Sequence, residues 1–155
     1  MNDQHRGRLT REGIRIHEAG DFAGMRRAGQ VAAGILDAIA PHVQPGVTTG
    51  ELDRLIEEKV HEAGAKSATI GYKGYQHASC ISLNHVVCHG IPGDKKLKDG
   101  DILNIDVTVI VDGWFGDTSR MYFAGEPSLK ARKLVDVTYE CLMLGIDAAS
   151  KPGAR

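Results

Sequence analysis

Asp112 and Gly113 separate two runs of β-branched and aromatic residues in the segment 101–123, DILNIDVTVIV and WFGDTSRMYF. An Asp-Gly pair between two such runs is a strong signal for a β-hairpin. A two-residue turn also fixes the register of the ladder, and here it places Thr108 opposite Asp117. The sequence therefore predicts an antiparallel hairpin with a defined pairing.

The predicted hairpin has two chemically different faces. Because side chains alternate along a strand, Asp106 lies on the same face as Thr108, and Asp106 and Asp117 then project from one face as a diagonal pair. The other face of the first strand is apolar and suits a hydrophobic core. It carries Ile105, Val107, Val109 and Val111.

The acidic pair suggests a metal site. Two carboxylates on one face with no basic residue beside them repel each other, unless one is protonated or a cation lies between them. Diagonal neighbours about 7 to 8 Å apart at the backbone could converge on two divalent ions about 3.5 to 4 Å apart. A solvated polar face is the alternative, and a three-residue turn would separate the acids. Asp106 and Asp117 are thus candidate metal ligands.

The composition describes an ordinary globular domain. The 155 residues are 42% hydrophobic and 25% charged, with a net charge of −1, which indicates neither a nucleic-acid nor a membrane partner. No apolar signal-peptide segment opens the chain, and the three cysteines contain no CxxC pair. Reduced thiols and a cytoplasmic location are expected.

Three helices are predicted from apolar residues at three- and four-residue spacing. The first begins at Asp21 and ends before Pro41, and the second follows a capping box at Thr48 and ends at Gly64. The third follows Ser128 and ends at Pro152-Gly153, with one apolar side. That side carries Leu134, Val135, Thr138, Cys141, Leu142 and Gly145. The predicted fold is α+β, an antiparallel sheet with helices on one face.

The segment Met1–Gly20 is polar and rich in arginine. We expect an N-terminal extension that is mobile or loosely packed. A contact with ribosomal RNA is one use for such a basic arm, but a solvated tail explains it as well, and no function is assigned to it.

Short strands are predicted at Ser79–Leu83 and His85–Cys88, after an irregular loop rich in glycine and tyrosine at Ala65–Ser79. A zinc cluster is an alternative use of the polar residues in this region, but their spacing fits no usual zinc finger. These residues are His77, Cys80, His85, Cys88 and His89.

Three ordered strings carry a family resemblance: VCHGIP at 87–92, DGDILNIDVTVIVDG at 99–113 and GDTSRMYFAGEP at 116–127. They resemble the type I methionine aminopeptidases, metal-dependent enzymes of the pita-bread fold. The resemblance extends from about Asp21 onward. It implies that residues 21–155 form the N-terminal half of such a catalytic domain.

The resemblance implies roles for six residues. Asp106 would chelate one metal ion and Asp117 would bridge two, the ions being Co, Mn, Fe or Zn. His89 would contact the substrate and the reaction intermediate. The methionine side-chain pocket would be lined by Tyr72, Tyr75 and Cys80, and Thr69 stands where bacterial members often have cysteine.

The resemblance also implies that the site is incomplete. In the family a second half supplies one histidine and two glutamates, and the motifs that carry them are not in this sequence. The chain instead shows the start of a repeat, since Gln44-Pro45-Gly46 and Lys151-Pro152-Gly153 both follow helices. We expect this chain alone to be inactive.

The implied activity is removal of the N-terminal methionine from newly made proteins, with nascent chains as substrate and the ribosome as a possible partner. A non-catalytic pita-bread binding module is one alternative, although such relatives lose metal ligands that this chain keeps. A proline-specific aminopeptidase of the same fold is another. It is disfavoured because HGIP and the tyrosine-rich loop match the methionine enzymes.

Overall fold

The computed structural model describes residues 7–151 and 153. The predicted helix stop at Pro152 and the first six residues of the predicted extension lie outside this range. The elements follow in the order β1 (Gly7–Leu9), β2 (Arg15–His17), α1 (Asp21–Ile39), α2 (Thr49–Glu62), β3 (Lys66–Ser67), β4 (Ser79–Leu83), β5 (Asp101–Val111), β6 (Trp114–Ala124) and α3 (Leu129–Ala149).

The predicted hairpin is confirmed residue by residue. β5 and β6 pair antiparallel from Asp101 opposite Ala124 to Val111 opposite Trp114. Asp112 and Gly113 have φ angles of 48° and 84°, the left-handed conformation that a tight two-residue hairpin turn requires. The turn is held further by a hydrogen bond from the Arg27 guanidinium to the Asp112 carboxylate.

β5 is the central strand of an antiparallel sheet. One of its edges pairs with β6, and the other pairs with β4 and, further along, with β3. The apolar face of β5 is fully buried, with Ile105, Val107 and Val109 each 0% exposed. This arrangement confirms the expected α+β class with an antiparallel sheet.

α1 and α2 cover the apolar face of the sheet. α1 buries Leu36 and Ile39, and α2 buries Leu52 and Ile56, in the same core as the β5 residues. The Tyr122 hydroxyl donates a 2.7 Å hydrogen bond to the Leu36 carbonyl and so ties β6 to α1. The predicted capping box of α2 is present, with Thr48 and Glu51 bonded to each other's backbone N–H groups.

Gly116 allows α1 to lie directly on β6. A Cβ atom at this position would lie 2.1 Å from the carbonyl oxygen of Ala28 and 2.3 Å from its carbonyl carbon, so a side chain would displace the helix backbone. The close approach places the helix against the side of β6 opposite to the one on which Asp117 projects.

The predicted strand at His85–Cys88 is wrong. β4 ends at Leu83 because Asn84 adopts a left-handed conformation, with φ at 54°, and the following residues form a turn. The turn is closed by a 3.1 Å hydrogen bond from the Val86 N–H to the Leu83 carbonyl. The Asn84 amide also donates to the Asp101 carboxylate at 2.8 Å.

Two further parts of the chain differ from expectation. β1 and β2 form a small hairpin that the sequence analysis did not anticipate, and its apolar side chains remain exposed. The apolar side predicted for α3 is not part of the core, since none of the residues of this fully described helix is buried and only Val135 on that side is half-buried. The helices on one face of the sheet are therefore α1 and α2.

Within the described residues, no helix is long and apolar enough to cross a membrane.

We expect Gly116→Ala to lower the free energy of unfolding by about 1–3 kcal/mol, because the added methyl group overlaps the α1 backbone. Gly34→Ala is the matched control on α1, where a Cβ meets no atom within 4 Å. It should raise stability by about 0.5–1 kcal/mol through the better helix propensity of alanine. Denaturant unfolding of both variants measures the two effects. Similar changes in both would show that the close approach at Gly116 is not needed.

Candidate metal centre

The hairpin register brings Asp106 and Asp117 to one face of the sheet. Thr108 pairs with Asp117 and Ser119 pairs with Asp106, so the two acids are diagonal neighbours, as predicted. Asp106 is partly buried and Asp117 is exposed. Burial raises the pKa of Asp106 above its ordinary value, and repulsion by the Asp117 carboxylate raises it further.

The carboxylates of Asp106 and Asp117 could supply some of the ligands of a metal site. The raised pKa of Asp106 means that its negative charge is disfavoured where it lies, and a divalent cation between the two carboxylates would relieve this. Carboxylate oxygens bind divalent cations of several kinds, so these two side chains do not by themselves select one metal. Within residues 7–151 and 153, however, no group of three or more His, Cys, Asp or Glu side chains is arranged to hold a metal ion. The alternative zinc cluster is likewise not formed there.

His89 reaches the acidic pair from the turn after β4. Gly90 packs so closely on β4 that a Cβ atom would lie 2.2 Å from the Ile81 carbonyl oxygen. The Gly90 N–H donates to the Ser82 hydroxyl at 3.0 Å, and its carbonyl accepts from the Ile81 N–H at 2.8 Å. His89 itself has a φ of 54° and is exposed. Its ring lies near enough to Asp106 to oppose the rise in the pKa of that carboxyl.

A cavity of about 760 Å³ lies over the acidic face of the hairpin. It brings together all six residues singled out from the sequence. These are Tyr72, Tyr75, Cys80, His89, Asp106 and Asp117. The remaining walls come from Ala68, Thr69, Lys73, Gly74, Ile91, Thr108 and Phe115.

One wall of the cavity is a tight loop of aromatic residues. Gly71 and Gly74 have φ angles of 85° and 84°, a conformation that residues with side chains rarely adopt. A short 3-10 turn spans Tyr72–Gly74. The Tyr75 hydroxyl donates a 2.8 Å hydrogen bond to the Ser79 carbonyl. Tyr72 is 65% exposed and stands at the edge of the cavity.

Phe115, Lys73 and Ile91 line the cavity although no role was expected for them from the sequence. Phe115 could have been found, because it lies two residues before Asp117 and therefore shares its face of β6. Lys73 and Ile91 come from turns whose paths only the folded chain reveals. The ammonium of Lys73 lies 5.5 Å from the centroid of the Tyr72 ring, at the aromatic wall of the cavity.

The sequence profile of Metallopeptidase family M24 matches residues 23–155. The chain belongs to this metallopeptidase family. A protein of Rickettsia prowazekii named methionine aminopeptidase is 52% identical to it over 142 residues, 92% of this chain and 54% of that relative. A Salmonella typhimurium protein of the same name is 54% identical over 144 residues, again 92% of this chain and 54% of the relative.

Solved structures agree with the family. The crystal structure of methionine aminopeptidase from Rickettsia prowazekii matches with a TM-score of 0.82 and 53% identity, covering 84% of this chain and 52% of that one. Prolidase from Pyrococcus furiosus matches with a TM-score of 0.69 at 20% identity, over 79% of this chain and 35% of that one, and shows the fold alone. The fold is that of the pita-bread enzymes. The chain spans about half the length of the relatives it matches.

We expect Asp106→Asn to be more stable than the original chain at neutral pH in the presence of a metal chelator. The folded-state pKa of Asp106 is raised, so the unfolded chain releases this proton at a lower pH than the folded chain. Stability then falls as the pH rises between the two pKa values, and the loss is complete above both. Asparagine carries no charge and therefore avoids this loss of stability. Denaturant unfolding at several pH values measures the difference.

Asp94→Asn is the control for this comparison, since it removes the same charge from an exposed loop residue outside the cavity. The advantage of Asp106→Asn should disappear as the pH is lowered below the ordinary pKa of aspartate. An advantage that persists in acid, or that Asp94→Asn shares, would contradict the stated cause.

Proposed function

We propose that this chain is the N-terminal half of a metal-dependent aminopeptidase that removes methionine from the N-terminus of polypeptides. The observation that carries the proposal is the single cavity shared by the two hairpin aspartates, His89 and the tyrosine loop. The names of relatives at 52% and 54% identity support the choice of methionine as substrate.

Asp106 and Asp117 would hold divalent metal ions, two by the family resemblance. A bound metal would polarise the scissile carbonyl and activate water for attack on it. The hairpin contributes rigid placement, because both aspartates lie on long paired strands rather than on loops. Further protein ligands would come from the second half that the family resemblance implies, since the described residues supply no group of three.

His89 would bind the reacting end of the substrate. Its ring lines the cavity and lies near Asp106, and its backbone is fixed by the close packing of Gly90 on β4. A ring nitrogen placed there can donate a hydrogen bond to the substrate carbonyl as negative charge develops on its oxygen. The residue would act on the substrate rather than as a metal ligand.

Tyr72, Tyr75 and Cys80 would form the side-chain pocket for methionine. An unbranched thioether is flexible enough to enter between two rings, and sulfur makes favourable contacts with aromatic edges. The carbon-rich rings and the thiol offer no charge to a bound side chain. All three cysteines of the chain are free thiols, which suits work in a reducing compartment such as the cytoplasm, where new polypeptides are made.

The test joins residues 1–155 to the remaining part of the Rickettsia prowazekii methionine aminopeptidase, and we call this protein the chimaera. With Mn²⁺ or Co²⁺, we expect the chimaera to release methionine from a Met-Ala peptide, and residues 1–155 alone to release none and to bind the metal weakly. Asp106→Ala and Asp117→Ala should reduce the release by the chimaera to background, because each removes a metal ligand.

Asp94→Ala in the chimaera is the matched control and should retain full release, since Asp94 lies outside the cavity. Turnover by either hairpin variant at the control level would exclude the proposed ligand roles. Robust turnover by residues 1–155 alone would show that the site is completed in another way, for instance between two copies.

His89→Ala in the chimaera should lower the rate of methionine release by about 10²- to 10³-fold, the usual effect of removing one donor to a developing oxyanion. The bound metal, measured by atomic emission after gel filtration, should remain near the original content. A loss of metal in proportion to the loss of activity would instead make His89 a ligand.

A further inference from the structure

Ser79 connects α2 to the aromatic loop of the cavity. It is fully buried at the start of β4, and each of its polar groups has a partner. Its N–H and its hydroxyl both donate to Oδ1 of Asp53, at 2.9 and 2.6 Å. Its carbonyl accepts the hydroxyl of Tyr75 at 2.8 Å. A carboxylate of α2 and a phenol of the cavity therefore meet at one residue.

Asp53 is a buried carboxylate with both oxygens engaged. Only 5% of the residue is exposed, and burial of such a group is costly unless it is fully hydrogen-bonded. Oδ2 lies 2.9 Å from Nδ1 of His77, and Oδ1 accepts both bonds from Ser79. The ring of His77 stands edge-on to that of Tyr75, with centroids 5.5 Å apart. Asp53 thus reaches Tyr75 by two routes.

The same network fixes the thiol of Cys80. The Cys80 sulfur lies 3.6 Å from the Tyr75 hydroxyl, and Cys80 pairs with Asp106 across the sheet. A displacement of Ser79 would move its carbonyl, the Tyr75 ring that is bonded to it and the neighbouring Cys80 together. The wall of the side-chain pocket would then shift relative to Asp106.

We propose that Asp53 is a positioning residue for the side-chain pocket. It fixes Ser79 and His77, and these two residues orient the ring of Tyr75. The proposal rests on the proposed function in one respect, namely that the oriented ring serves to bind a methionine side chain. Asp53 itself does not line the cavity and acts only through its neighbours.

The test compares Asp53→Ala with Asp53→Asn in the 155-residue chain. Alanine removes every hydrogen bond that the carboxylate makes. Asparagine keeps the shape, since its Oδ1 still accepts from Ser79 and its amide can donate to Nδ1 of a neutral His77. We expect alanine to disturb the pocket and asparagine to preserve it.

Two measurements report on the pocket itself. Alkylation of Cys80 by iodoacetamide, followed by peptide mass spectrometry, uses the exposed Cys141 as reference in the same sample. Asp53→Ala and Asp53→Asn both remove the charge that acts on the Cys80 thiolate, so the difference between these two variants reports access to the thiol. The NMR signals of ¹³C-labelled tyrosine rings, assigned with Tyr75→Phe, report the ring. In Asp53→Ala, Cys80 should react about tenfold faster than in Asp53→Asn, the factor that matches loss of a hydrogen bond worth about 1.4 kcal/mol. The Tyr75 signals should shift.

Two further variants separate positioning from loss of stability. Ser79→Ala removes only the hydroxyl bond to Asp53 and should change both measurements less, in the same direction. Ile39→Val removes a buried methyl group from α1, outside the cavity lining, and should lower stability while leaving both measurements unchanged.

The proposal is overturned if Asp53→Ala changes the pocket no more than Ile39→Val does at equal folded fraction. It is also overturned if Asp53→Asn behaves like Asp53→Ala. Failure of the proposed function would look different, because the chimaera with the original sequence would then release no methionine while Cys80 and Tyr75 still responded to changes at Asp53.

Discussion

The two-residue turn at Asp112 and Gly113 determines where every side chain of the long hairpin projects. Its left-handed φ angles allow Val111 to face Trp114 directly, and the pairing then runs without a bulge to Asp101. Because side chains alternate with a period of two, a slip of one residue would exchange the core face with the cavity face. The acidic pair, the apolar core and the cavity all depend on this one register.

The same alternation couples helix packing to the site. Gly116 turns toward α1 and Asp117 turns away from it, so the residue that admits the helix directly precedes a proposed metal ligand. Gly90 and His89 repeat the arrangement in the turn after β4, where a close backbone contact at Gly90 fixes the residue next to a proposed substrate contact. At both glycines, the lack of a side chain allows a close backbone contact, and this contact fixes the position of the neighbouring residue.

Signals that act over a few residues predicted the structure well. The Asp-Gly turn gave the hairpin register, and the Thr48 capping box gave the start of α2. The errors lie where contacts between residues distant in sequence determine the local structure. The left-handed Asn84 ends β4 through bonds to the segment around Asp101, and the link from Asp53 to Ser79 joins parts of the chain that no local pattern relates. The alternation of side chains showed only which residues share a face, and the proposed roles of these residues came from the family resemblance.

α3 is exposed, whereas the sheet, α1 and α2 share a core, so the two parts of the chain are stabilised differently. The sheet with α1 and α2 is held by a shared core, whereas α3 has its Ser128 cap and its own backbone bonds but buries none of its described residues. Most helices in proteins owe their persistence to packing rather than to propensity. Because few buried contacts hold it, α3 should open locally at a lower cost in free energy than the hairpin, and its order would depend most on any surface that packs against it.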